Sequence, residues 1–443
     1  MKCHPTDNMK PTFKKIIILI LQWEARIILK KYKPKVIAIT GSVGKTTTKD
    51  ALYAVLSKFY YVRKSEKSHN SQIGLLLTIL GCPNGWNDPV IWFENILKGL
   101  KLIFIKGSYP EFLVLEVGAS KSGDIVKILK WLKTDIVILT AIGLVPAHIE
   151  FFGSYEKVLI EKAELVKSLK DGGLLFLNND NVDVLKYINR KDVRRISFGV
   201  SEDADFRASN KNIFYNNTKD HQSVPVGISF KVNYEGNCLP VILEGIFGDN
   251  NVYGALVSIA VAKELGLDIL QALSALRSYD APPGRMRILQ GVNGSFIIDD
   301  SYNSSPKALE SALQTFAEIS GTKRKIAILG DMLELGKHTN DAHFAIGNII
   351  PNTTDMLITV GLRAKVISGA SLDAGMNKEN INHFNNTIQA GEFIKNNIKQ
   401  GDMVLIKGSQ AMRMEKIVEM IMMYPEYKDQ VLVRQEKEWL EKI

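Results

Sequence analysis

The run Ile37-Ala38-Ile39-Thr40-Gly41-Ser42-Val43-Gly44-Lys45-Thr46-Thr47-Thr48 joins an apolar, β-branched strand to a glycine loop and the start of a helix. That order makes a cradle for phosphate. Glycines let backbone N–H groups approach anionic oxygens, and the helix N-terminus adds partial positive charge. Lys45 would reach the terminal phosphates and Thr46 would offer its hydroxyl to Mg²⁺. Ile39 stands where the longer form of the pattern has its first glycine, so this is the short form. Gly41, Ser42, Val43, Gly44, Lys45, Thr46 and Thr47 are therefore the expected nucleotide-binding residues.

Other side chains with chemical potential stand near the ends of the elements around this loop. Glu116 closes the apolar run Phe112–Val117, where a buried carboxylate needs a cation, either Mg²⁺ or a basic side chain. Parallel sheets bind ligands at the carboxyl ends of their strands, so Glu116 and the loop would share one edge. His148 follows Pro146-Ala147 in a loop, as a surface histidine or a metal ligand. Lys162 lies mid-helix, where a lysine ordinarily faces solvent. Asn251 opens another helix, where asparagine is by default an N-cap. Arg285 and Asp300 come just past Ala281-Pro282-Pro283-Gly284, a helix-ending linker, and so belong to a second unit.

The elements that must hold these groups alternate. Candidate strands are Val36–Thr40, Phe112–Val117, Asp135–Thr140 and Leu174–Leu177, and candidate helices are Lys45–Lys58, Ser71–Leu80, Ser122–Leu132 and Ser154–Leu169. This pattern predicts a mostly parallel sheet covered on both faces. Residues 200–245, with the short alternating runs Gly227–Val232 and Leu239–Leu243, read as an antiparallel addition, and a helix over Val252–Leu265 follows. After the linker, strands at Ser295–Asp299, Lys325–Leu329, Met356–Val360 and Met403–Lys407 and a helix at Pro306–Phe316 form another α/β unit. The expected organisation is a basic amphipathic segment over 1–34, an α/β P-loop domain over 35–281, and a smaller Rossmann-like α/β domain over 282–443.

The 443 residues are 46% hydrophobic and 23% charged, which is ordinary globular usage and excludes a disordered or fibrous chain. Residues 1–35 hold nine basic and two acidic side chains, so +7 of the formal +9 sits in this head. The remaining body is nearly neutral, which argues against nucleic acid as a partner. Three widely spaced cysteines form neither a disulfide framework nor a metal knuckle, as expected of a reducing compartment. The apolar run Ile16–Leu21 is far short of the roughly 20 residues that span a bilayer, and no cleavage site of a secretory signal follows it. With Trp23 and its lysines, residues 10–33 fit either a helix lying on an anionic membrane or one packed on the neighbouring domain.

Together these motifs resemble the Mur ligases, ATP-dependent enzymes that add amino acids or dipeptides to the peptidoglycan precursor. Thr40–Thr47 is similar to their phosphate loop, and Glu116–Asp124 to the strand-end motif with a metal-binding glutamate. Pro146–Ser154 resembles the histidine motif, Glu161–Leu165 the segment with a carbamylated lysine, and Gly248–Val252 the adenine-side asparagine segment. Pro283–Met286, Asp299–Pro306, Gly330–Gly336 with His343, and Lys407–Glu415 are most similar to the branch that joins D-alanyl-D-alanine to a UDP-muramoyl tripeptide.

The resemblance implies ATP and two Mg²⁺ ions, with Thr46, Glu116 and His148 as metal ligands. It also implies a carbamylated Lys162, an adenine contact from Asn251 and ATP contacts from Arg285 and Asp300. Lys45, Glu116, His148 and Lys162 would be the catalytic set. Asn70, Asn303, His343, Lys407 and Ser409 would line the substrate side. The implied partners are a UDP-muramoyl peptide and D-Ala-D-Ala, with no nucleic acid. The implied state is a cytoplasmic monomer, with the head available to the inner face of the membrane. Since the phosphate loop begins at Gly41, the family's N-terminal UDP-holding domain is expected to be missing. Ser68, Ser71 and Gly254 stand where the family commonly has asparagine. Alternatives are therefore a ligase for another carboxylate, such as a folate, or a non-catalytic nucleotide-binding scaffold.

Overall fold

The computed structural model describes residues 11–66, 70–217 and 223–440, so Ser68 and Cys3 lie outside the described residues. Nine strands build the first sheet: β1 (Lys35–Thr40), β2 (Val62–Lys64), β3 (Phe112–Glu116), β4 (Thr134–Leu139), β5 (Leu169–Asn178), β6 (Arg194–Gly199), β7 (Phe206–Asn217), β8 (Ser223–Tyr234) and β9 (Asn237–Glu244). They run in the order β2-β3-β1-β4-β5-β6-β7-β8-β9. Pairing is parallel from β2 to β7 and antiparallel through β7-β8-β9, as the alternating runs predicted.

The helices of this domain are α1 (Pro11–Tyr32), α2 (Lys45–Leu56), α3 (Gln72–Leu80), α4 (Pro89–Phe104), α5 (Asp124–Leu129), α6 (Ile149–Phe152), α7 (Tyr155–Glu164), α8 (Asp249–Glu264) and α9 (Ile269–Arg277). β1 shows why its run is apolar throughout. Ile37 and Ile39 pack into a core shared with α2, α8 and α9, whereas Val36 and Ala38 face a second core with α1, α3, α5 and α7. A central strand covered on both faces has no polar side to show. α1 buries Ile17, Leu21, Ala25 and Ile28, one stripe at helical spacing, and so packs on the neighbouring domain through that face. Among the described residues no helix is long and apolar enough to cross a membrane.

The second sheet takes the order β10-β11-β15-β12-β13-β14 from β10 (Arg287–Gln290), β11 (Phe296–Asp300), β12 (Arg324–Gly330), β13 (Met356–Val360), β14 (Ile381–Phe384) and β15 (Asp402–Lys407). Only β10 is antiparallel to its neighbour. Helices α10 (Pro306–Glu318), α11 (Thr339–Ile349), α12 (Lys365–Asp373), α13 (Thr387–Asn397) and α14 (Glu415–Ile421) accompany it. The two domains touch along β7. Lys211 Nζ reaches Glu318 Oε1 at 3.4 Å, and the Tyr215 hydroxyl meets Ser320 Oγ at 3.0 Å.

Candidate active site

The loop between β1 and α2 holds its shape through β4. Ser42 and Val43 donate their N–H groups to Ala141 O at 2.9 and 3.0 Å. Gly41 sits at φ +149°, and a Cβ there would stand 2.0 Å from Thr140 Oγ1 and 3.0 Å from its carbonyl oxygen. No larger residue fits without moving the strand end. Gly44 caps α2 at φ 84°, so the helix N-terminus opens directly out of the loop. Lys45 folds back to Ser42 O at 3.2 Å. Burial lowers its pKa first; Glu116 opposes that shift and Arg285 adds to it. A half-buried, partly desolvated ammonium held this way is a poor resting state, and phosphate oxygens would improve it.

β3 lies beside β1 in register, pairing Glu116 with Ile39, and thereby delivers Glu116 next to the loop. Its Oε2 accepts from the Thr46 hydroxyl at 2.9 Å and its Oε1 from Asn70 Nδ2 at 3.3 Å. Lys49, one helical turn after Lys45, stands 3.8 Å from Oε2 with both side chains buried. Hydroxyl and carboxylate oxygens are hard donors of the kind Mg²⁺ takes. Lys49 was not among the sequence candidates; its i+4 spacing from Lys45 on the loop-facing helix was the available signal.

Lys162 is not on a solvated face. It lies buried on α7, and its pKa falls to about 7 through burial and the charge of Lys45, against the opposing Glu161, Asp124 and Glu116. Its neighbour Glu161 accepts from Gly123 N at 2.7 Å and Ile125 N at 2.6 Å, tying α7 to the start of α5. Asn251 is not the N-cap either, because Gly248 holds that position. Asn251 instead donates Nδ2 to Phe247 O at 2.6 Å, leaving a buried Oδ1 with no hydrogen-bond partner. That oxygen could accept from an exocyclic amine. Gly254, where the sequence departs from the family, faces Thr47 of α2, with 3.4 Å left for a Cβ.

The second domain contributes Arg285. Its Nη2 donates to Thr46 Oγ1 at 3.4 Å, its guanidinium lies 4.1 Å from the centroid of the Tyr302 ring, and its Nε is buried without a hydrogen-bond partner. Arg434, from the C-terminal tail, approaches the same ring at 5.5 Å and pairs with buried Glu415 at 2.6 Å. Tyr302 and Arg434 were missed by the sequence reading, although Tyr302 stands inside the Asp299–Pro306 motif. Asp300 pairs with Lys407 Nζ at 2.6 Å, both buried. Burial raises the Asp300 pKa while Lys407 and Arg285 restrain it, and burial lowers that of Lys407. Lys407 also donates to Asn303 O at 2.9 Å, and Asn303 Oδ1 accepts from Ser304 N at 2.9 Å.

His148, Ser409 and His343 meet around one loop of the second domain. His148 adopts φ 69° ahead of α6, and its Nδ1 lies against Glu334 Oε2. It is not grouped with Thr46 and Glu116 in these contacts, and the described residues contain no cluster of three or more His, Cys, Asp or Glu side chains poised to hold a metal. Ser409 Oγ accepts from Leu333 N at 2.8 Å, and His343 Nε2 accepts from Met332 N at 3.0 Å. His343 Nδ1–H donates to Thr339 O at 2.7 Å, which fixes the tautomer, and burial lowers its pKa. His343 and Ser409 therefore shape the loop that carries Glu334.

Comparison with known proteins agrees with this geometry. Residues 39–262 match the Mur ligase middle domain, and residues 284–410 match the domain described as Mur ligase, glutamate ligase domain. The chain is 28% identical over 416 residues to UDP-N-acetylmuramoyl-tripeptide–D-alanyl-D-alanine ligase of Bacillus subtilis (strain 168), covering 94% of this chain and 82% of that one. The crystal structure of MurF ligase from Thermotoga maritima in complex with ADP superposes with a TM-score of 0.74 at 27% identity, over 91% of this chain and 83% of that one. Folylpolyglutamate synthase of Thermotoga maritima shares the fold, with a TM-score of 0.57 at 15% identity and 95% coverage of each chain. With its middle and ligase domains both matched, this chain belongs to the Mur ligase family.

Proposed function

We propose that this chain is an ATP-dependent, ADP-forming amide ligase that joins D-alanyl-D-alanine to a UDP-N-acetylmuramoyl tripeptide in peptidoglycan precursor synthesis. The observation that carries the reading is the contact of Arg285 with Thr46. An arginine of one domain lies on the phosphate loop of the other, so domain closure and nucleotide binding share a residue. The names of the similar ligases support the dipeptide as the incoming amine. A cytoplasmic location belongs to the same reading, since ATP and a UDP-linked precursor are cytoplasmic metabolites.

In this reading the loop N–H groups, the α2 N-terminus and Lys45 hold the β- and γ-phosphates, with Arg285 approaching from the second domain. Asn251 Oδ1 accepts from the adenine amine, and Asp300 holds its place through Lys407. Thr46 and Glu116 would hold Mg²⁺, which supplies neutralisation of phosphate charge, while His148 is held apart from them against Glu334. The acceptor carboxylate attacks the γ-phosphorus, the bond to ADP breaks, and an acyl phosphate forms. The dipeptide amine then attacks the acyl carbon, phosphate leaves, and the nitrogen loses a proton. Positioning and charge complementarity carry most of such a reaction.

Lys162 is proposed to be carbamylated. Its lowered pKa leaves a large neutral fraction near pH 7, whose nitrogen adds to CO₂ and releases a proton. Asn70, Asn303, His343, Lys407 and Ser409 are proposed to shape the substrate side, the last four through the loops they hold. The test is phosphate release from MgATP with a panel of acceptors. Release that requires both the muramoyl tripeptide and D-Ala-D-Ala supports the reading. Release with a folate and glutamate instead, or with no acceptor at all, rejects it.

A further inference from the structure

The faces that α1 and α4 turn to solvent are apolar where surface helices are ordinarily polar. On α1 the outward stripe is Phe13, Ile16, Leu19 and Trp23, followed by Arg26 and Lys30, all exposed and spaced along one side. The inward stripe, Ile17, Leu21, Ala25 and Ile28, is buried. α4 repeats the arrangement. Trp92, Asn95 and Gly99 face inward, while Val90, Phe93, Leu97, Lys101 and Phe104 face out at i, i+3, i+7, i+11 and i+14. Leu19 keeps 66% of its surface exposed and Phe104 78%.

The two helices adjoin. Glu24 of α1 packs so closely on Gly99 of α4 that a Cβ there would lie 2.2 Å from Glu24 Oε2. Lys31 Nζ donates to Leu102 O and Ile103 O at 2.9 Å each, and the Tyr32 hydroxyl donates to Leu102 O at 3.0 Å. Residue 24 thus stands opposite 99, and the side chain of residue 31 reaches 102–103. Both also pack on α3.

We propose that α1 and α4 together form a docking surface for an anionic lipid bilayer, with the two apolar stripes entering the headgroup layer and the lysines on its phosphates. The charge of the two helices selects this occupant. Exposed basic groups on the pair are Lys15, Arg26, Lys30 and Lys31 of α1 and Lys98 and Lys101 of α4, while Glu94 is their only exposed acid. A second copy of the chain seated on this face would bring like charges together. An anionic bilayer meets both properties at once, since apolar side chains drive entry and each lysine near the surface adds to it.

The full chain is mixed with vesicles of phosphatidylcholine alone or with an equal part of phosphatidylglycerol, and the bound fraction is read by flotation. Wild type is expected to float with the anionic vesicles only, and to be released at about 1 M salt, where the screening length falls to about 3 Å. Phe93→Ser with Phe104→Ser on α4, and separately Ile16→Ser with Leu19→Ser on α1, should each weaken partitioning at least about tenfold, while far-UV circular dichroism stays unchanged. The proposal is overturned if wild type ignores anionic vesicles, or if either folded double variant binds as wild type does. A concentration-dependent dimer that the same variants dissolve, with no vesicle binding, would assign the face to a second copy.

Discussion

Lys162→Met should make the protein more stable and inactive at once. The ammonium is buried on the inner side of α7, and burial together with Lys45 brings its pKa from 10.5 to about 7. The native state therefore holds this proton more weakly than the unfolded chain, and protonation favours unfolding. At about 1.4 kcal/mol per pH unit the gap amounts to about 5 kcal/mol in acid and about 4 kcal/mol at pH 7. Relaxation and water entry recover part of such a cost, so a gain of about 2–4 kcal/mol for the neutral, length-matched methionine is expected, or roughly 5–10 °C in Tm. The sign fixes the pH trend. The penalty is full below about pH 7 and fades as pH rises toward the unfolded value, so the gap between the proteins should shrink by about half between pH 7 and pH 9. Calorimetry in CO₂-free buffer reads this directly. Adding bicarbonate with Mg²⁺ should raise the Tm of wild type and not of the variant, because only wild type has an amine to carbamylate. A variant less stable than wild type in CO₂-free buffer at pH 7, or a gap that widens with pH, would refute the reasoning.

Gly41→Ala pushes a methyl group onto Thr140, whose hydroxyl is already held on Thr40 O at 3.2 Å, and ATP affinity by titration calorimetry should fall at least about tenfold. Arg285→Ala removes the link between the domains at Thr46 and should lower kcat/KM for ATP about 100-fold with Tm nearly unchanged, as measured by coupled ADP release. Asp300→Asn leaves the Lys407 ammonium buried without its carboxylate and should cost about 3–5 kcal/mol in urea unfolding; adding Lys407→Met should restore most of it.

Local signals made the phosphate loop and its strand readable: glycines at 41 and 44, an apolar run before them and a helix former after. Glu116 was readable for the same reason, since a carboxylate ending a buried strand must meet a cation. Asp300 and Arg285 could be placed only on a second unit, because their partners stand far along the chain; Arg285 and Thr46 are 239 residues apart. Periodicity does not encode such a contact. For Lys162 the helical pattern alone favoured a solvated face and only the resemblance placed it in the site, since a mid-helix lysine shows its burial only once α7 is packed under the loop. Asn251 looked like a cap because the glycine that holds that position, Gly248, carries no capping side chain. α4 escaped the reading because its apolar residues line both faces and blur the helical period, and that same property makes its outer stripe notable.

The claim that this ligase activates a carboxylate by phosphorylation is tested most directly with a tripeptide substrate labelled with ¹⁸O in its terminal carboxylate. With MgATP and D-Ala-D-Ala, the account predicts one phosphate released per amide bond formed, carrying one ¹⁸O atom from the acceptor. Phosphate released without label, or released with no peptide product, would contradict it.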